Sequence, residues 1–109
     1  MKIKILADDL SMTNACWSAW MCCITLASDM GASEIRLTSA KRMRGPTEKL
    51  SFHHAHPYSQ AFDFVAEGVD IGEYHAKLIK CVGFEFDVIY HENRGSEGMH
   101  FHIEHDPRA

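Results

Sequence analysis

No stretch of this sequence is apolar for long enough to span a bilayer. None is basic for long enough to track a phosphate backbone either: the one basic cluster is Lys41-Arg42-Met43-Arg44, and the formal net charge is -4. Membrane insertion and nucleic-acid binding by phosphate neutralisation are therefore not expected. The four cysteines, Cys16, Cys22, Cys23 and Cys81, lack CxxC spacing, and three fall in one helical-looking segment. They read as reduced core residues, and a zinc site built from them is not expected. Repeats and low-complexity tracts are absent too. At the N-terminus, Asp8 and Asp9 follow directly on a short apolar run, which is not the pattern of a secretory signal peptide. The expectation is a chain made and folded in a reducing cytoplasm.

What is present suffices for one domain over residues 1–109. The chain is 46% hydrophobic, so a core can form without metal holding it together. Lys2 to Leu6 alternates polar and apolar, as a half-buried strand does. Asp8, Asp9 and Ser11 offer turn and N-cap chemistry. Met12 to Met30 contains neither Pro nor Gly, and Cys16, Trp17, Trp20, Met21, Ile24 and Met30 recur at roughly helical spacing before Gly31. Its Trp and Met residues read as packing, not as a cofactor box. Glu34 to Ser39 alternates again. Ala40 to Tyr58, with Gly45, Pro46, Pro57 and a histidine cluster, reads as a loop with short irregular pieces. Ala61 to Val65 is an apolar strand interrupted by Asp63. Ile71 to Val82 has helical spacing and stops at Gly83. Phe84 to Tyr90 and Met99 to Glu104 read as strands paired antiparallel across the polar segment His91 to Gly98. The predicted fold class is α+β, a small, mainly antiparallel sheet with two helices against one face.

Four residues, His56, Asp63, His100 and His102, draw the eye to metal chemistry. A strand sends alternate side chains to one face, so His100 and His102 point the same way while Phe101 and Ile103 point to the other. Asp63 lies in an otherwise apolar strand, and a carboxylate buried there needs a partner. His56 lies on the segment leading into that strand. Two imidazoles and one carboxylate make a three-ligand set that leaves a fourth position open, as catalytic zinc sites do. Taken singly, an HxH pair or a histidine-rich loop is more often a polar surface. Combined with an acid in an apolar strand, they favour metal.

The order of Leu37-Thr38-Ser39-Ala40-Lys41-Arg42, then His56-x6-Asp63 with Ala61, then His100-x-His102, resembles the LAS zinc metallopeptidases. These are D-alanyl-D-alanine carboxypeptidases and dipeptidases, murein endopeptidases and phage L-alanyl-D-glutamate endolysins. Their pattern is T-S-x-x-R, then S-x-H-x-x-G-x-A-x-D, then E-x-x-H or H-x-H, and the likeness runs from about Ile35 to Glu104. It implies a hedgehog/D-Ala-D-Ala-peptidase-like fold, with His56, Asp63 and His102 as ligands of Zn2+. It implies that Arg42 binds substrate or stabilises the oxyanion, and that His100 assists beside the metal. Glu97 is the nearest acid to act as general base on water attacking a peptide carbonyl. The partner implied is a peptidoglycan peptide, reached from the cytoplasm by release if the chain is a phage lysin.

The chain departs from that pattern in several places. His54 stands where the family has Ser, and Ser59 where it has Gly. Ser51-Phe52-His53 is a competing S-x-H, but it lies too far from Asp63 without an insertion. No Trp precedes the H-x-H, and Met99 occupies the position three before His102 where the family's Glu stands. Glu92 and Glu104 are alternative bases, and Glu104 shares a strand face with the two histidines. A non-catalytic zinc-binding domain of the same fold, a different divalent ion, and a metal-free interaction protein with surface histidines are the competing readings.

Overall fold

A computed structural model of the chain describes residues 1–42, 50–92 and 98–107. The strands are β1 (Lys2–Ile5), β2 (Glu34–Ser39), β3 (Ala61–Glu67), β4 (Phe86–His91) and β5 (His100–His105). The helices are α1 (Asn14–Asp29) and α2 (Ile71–Val82), with a single 3-10 turn at Phe52–His54. The strands form one five-stranded sheet in the order β1-β2-β3-β5-β4. All neighbours are antiparallel except β1 and β2, which run parallel because α1 carries the chain back between them. The fold class is thus α+β, with β4 and β5 paired as the sequence suggested.

The helices cover one face. Ile35 and Leu37 of β2, Phe62 and Phe64 of β3, and Phe101 and Ile103 of β5 are all buried there. Cys16, Ala19, Trp20, Cys23 and Ala27 of α1 and Tyr74 and Leu78 of α2 complete this core. Phe64 stacks on Phe101 at 5.2 Å between centroids, and Tyr74 meets Phe101 edge-on at 5.4 Å. The Tyr74 hydroxyl donates to the Cys23 carbonyl at 2.8 Å, so its one polar atom is satisfied inside the core.

Some local expectations are corrected. The N-cap of α1 is Thr13, whose Oγ1 accepts from Cys16 N, rather than Asp8, Asp9 or Ser11. Trp17 and Met21 lie on the outer side of α1, because the buried stripe runs through Cys16, Trp20, Cys23 and Ala27. Cys81 is exposed and Cys22 partly so; only Cys16 and Cys23 are core thiols. No helix among the described residues is long and apolar enough to cross a membrane.

The other face of the sheet carries the alternate residues, and their register builds the site. Asp63 on β3 sits directly opposite His102 on β5. On the β2 side the pairing slips between Leu37 and Ser39, so that Ser39 rather than Thr38 opposes Asp63. This bulge turns β2 next to the acid, and Thr38 Oγ1 donates to the Asp63 carbonyl at 3.2 Å.

Candidate metal centre

The residue that joins Asp63 and His102 is His53. Ser51 caps the 3-10 turn: its hydroxyl accepts from His53 N at 3.2 Å, and its own N–H donates to His54 Nδ1 at 3.0 Å. The capped turn drives the His53 ring inward until its side chain is 2% exposed. His53 Nε2 lies 3.2 Å from Asp63 Oδ1, and His102 Nδ1 lies 2.7 Å from the same oxygen. The three candidate ligand atoms all fall within 4.8 Å of one another.

Each ring is fixed from behind. The Ala40 carbonyl, which can only accept, stands 2.6 Å from His53 Nδ1, so that nitrogen carries the proton. Glu104 Oε1 stands 2.8 Å from His102 Nε2, so His102 has a carboxylate at each ring nitrogen. With its proton on Nδ1, a neutral His53 turns the lone pair of Nε2 on Asp63 Oδ1. Two carboxylates on the His102 ring and the His53 lone pair on the same Asp63 oxygen make a site rich in acceptors, which a proton on His102 or a bound cation relieves. Outer partners that fix tautomer and orientation in this way are what metal-ligating histidines ordinarily have. The donor set of two imidazole nitrogens and one carboxylate oxygen suits zinc and other borderline divalent ions.

Titration follows the same geometry. Burial pushes the Asp63 carboxyl up, but hydrogen bonds from His102 and His53 and their nearby charges outweigh it, holding it well below the usual carboxylate range. Burial pushes the His102 imidazole down, yet Asp63 and Glu104 together outweigh that and raise it.

The expected site residues are placed unevenly. Asp63 and His102 come together as anticipated. His56 does not join them: it is exposed, and its Nδ1 lies 3.1 Å from Lys41 Nζ, which also donates to the Pro57 carbonyl. His56 follows the capped turn and leads the chain away from the cluster, so His53 takes its place. His100 is buried beside the cluster, with Nδ1 donating to the Gly98 carbonyl at 3.0 Å. Arg42 is exposed at the rim, its backbone N–H donating to the His53 carbonyl. Glu97 lies outside the described residues. Glu92 is exposed, and Glu104 is engaged by His102. His91, not singled out in the sequence, flanks the site with its ring 5.0 Å from His100 and 6.2 Å from His102. Only its place in a strand paired with β5 could have signalled this.

Arg42, His53, Asp63, His100, His102 and Glu104 line a cavity of about 320 Å³. A larger cavity of about 750 Å³, with Val65, Val69, Ile71 and Met99 in its walls, adjoins it through His100. Fold and site together define an α+β protein with a buried His53–Asp63–His102 group that could hold a metal ion. No family model, curated protein or solved structure matches the chain.

Proposed function

We propose that this protein is a zinc-dependent peptidase that hydrolyses peptide bonds of cell-wall peptides. The observation that carries the reading is the pair of imidazoles held from behind by Ala40 and Glu104, with their inner nitrogens turned on Asp63 above an open cavity. With His53 in place of His56, the order S-x-H, then D, then H-x-H of the LAS resemblance is kept through Ser51, His53, Asp63, His100 and His102. The interval between the first histidine and the acid is three residues longer than in that pattern.

In this reading His53, Asp63 and His102 hold the ion. When bound, zinc supplies Lewis-acid polarisation of the scissile carbonyl and activation of water at neutral pH. The chain's own residues do the rest. Ala40 and Glu104 hold the ligand rings from behind. Arg42 at the rim offers a fixed positive charge to a substrate carboxylate or a developing oxyanion. His100, with its Nδ1 proton committed to Gly98, lines the cavity and orients the substrate. The adjoining cavity accepts the peptide beyond the scissile bond. Glu97 is the proposed base.

The test is metal analysis of the purified protein, followed by incubation with purified peptidoglycan or D-Ala-D-Ala with and without chelator. About one zinc per chain and chelator-sensitive cleavage are expected; cleavage that survives complete metal removal sinks the mechanism. The second reading, a zinc-binding domain without catalysis, is favoured by one observation. The acid next to the ligands, Glu104, is already tied to His102, so it is not free to take a proton from water. Zinc binding with no turnover on any wall peptide would decide for it.

A further inference from the structure

Outside the histidine site, on the opposite side of the sheet, the two helices bring together a second reactive pair. Cys22 lies in the middle of α1 and Cys81 in the last turn of α2. Cys22 Sγ donates to the Cys81 carbonyl at 3.8 Å, although the residues are 59 positions apart in sequence. The other two thiols, Cys16 and Cys23, are fully buried, whereas Cys81 is exposed and Cys22 partly exposed. Solvent reaches the pair, and the contact of Cys22 Sγ with the Cys81 backbone brings two thiol-bearing residues of separate helices side by side.

We propose that Cys22 and Cys81 form a reversible disulfide site that is oxidised by a small-molecule disulfide of the glutathione class. Cys81, the exposed member, loses its proton to solvent, and its thiolate attacks one sulfur of the small disulfide. A mixed disulfide forms and one small thiolate leaves. Cys22 then gives up its proton, attacks the Cys81 sulfur and displaces the second small thiolate. Two protein thiols are oxidised, one small disulfide is reduced to two thiols, and no further reactant is needed. The order follows from the structure: burial and the neighbouring Cys81 push the Cys22 thiol up, so it is the poorer first nucleophile but sits beside the sulfur it must attack. The bond would staple α1 to α2 and close a long loop that includes β2 and β3, which restricts the unfolded chain strongly. The proposal is independent of the metal reading, because neither cysteine touches the histidine site.

The experiment treats the full-length protein with oxidised glutathione at mildly alkaline pH and follows intact mass, free thiols and the melting temperature. Wild type should lose two thiols and the mass of two hydrogens, retain no glutathione, and give a Cys22–Cys81 cross-linked peptide on digestion. Its melting temperature should rise by roughly 5–15 °C and return on reduction. Cys22→Ser should stop at the mixed disulfide, with one glutathione held on Cys81. A wild type that keeps glutathione on Cys81 as stably as Cys22→Ser, that links Cys81 to Cys23, or that only forms Cys81–Cys81 dimers overturns the proposal.

Discussion

The two faces of the sheet use the same strands for opposite purposes. On the helix side, Phe62, Phe64, Phe101 and Ile103 interlock with Trp20 and Tyr74 in a dry core. On the other side, their immediate neighbours Asp63 and His102 meet in a polar cavity, largely buried although neither α1 nor α2 lies on that face. The core face gains stability from each side chain it removes from water. The open face concentrates acceptors around Asp63, an arrangement that burial alone disfavours and a cation repairs. Stability and chemistry are thus separated by strand parity, one residue apart.

The comparison can be broken most severely from the core side. Phe64→Ala should cost about 3–5 kcal/mol of folding stability in urea denaturation, because a stacked, fully buried ring is lost. On the open face the largest effect should fall on metal, not on folding. His53→Ala should weaken zinc binding by more than about 100-fold in a chelator competition, beyond the loss typical of an outer partner. His56→Ala should leave it unchanged; equal losses from both would return His56 to the site. Glu104→Gln keeps the shape but weakens the hold on His102 Nε2, and should reduce zinc affinity about 10–100-fold by the same assay.

The pH dependence of the melting temperature sharpens the contrast further. The folded Asp63 carboxyl lies below its ordinary value, so its contribution is present above about pH 4 and is lost as pH falls below that. The folded His102 imidazole lies above its ordinary value, so its contribution is full below about pH 6.5 and is lost as pH rises through the raised value. Metal-free protein should therefore be stabilised by this pair mainly between those limits. Added zinc competes with the same protons and should stabilise increasingly above them. A metal-free profile that keeps rising through neutral pH would contradict the pairing. The smallest effect should come from Asp70→Ala, which removes the cap accepting from Glu73 N and should cost about 1 kcal/mol, with zinc affinity untouched.

Much of this division was legible in the sequence. Alternation in Glu34–Ser39 and from Met99 to Glu104 assigns each side chain to a face whatever the neighbours are, whereas Ala61 to Val65 showed only as an apolar run broken by Asp63. That periodicity put His100 with His102, and the apolar run marked Asp63 as an acid in need of a partner. The histidine segment has no periodicity, so the choice between His53 and His56 rested on a spacing borrowed from the resemblance. Ser51 was visible as part of an S-x-H, but that its turn buries His53 against Ala40 depends on β2 and β3 lying side by side. The parallel pairing of β1 with β2 was likewise undetermined, since a strand's own pattern does not carry the direction of its neighbour.

The sequence by itself determined the elements and the shared face of His100 and His102, because side-chain direction follows from local backbone period, and it marked Asp63 as an acid in an apolar strand. Only the tertiary structure decided which histidine completes the group, that Glu104 and the Ala40 carbonyl hold its rings from behind, and that Cys22 meets Cys81. Those are contacts between distant segments, set by register and packing, and no local period encodes them.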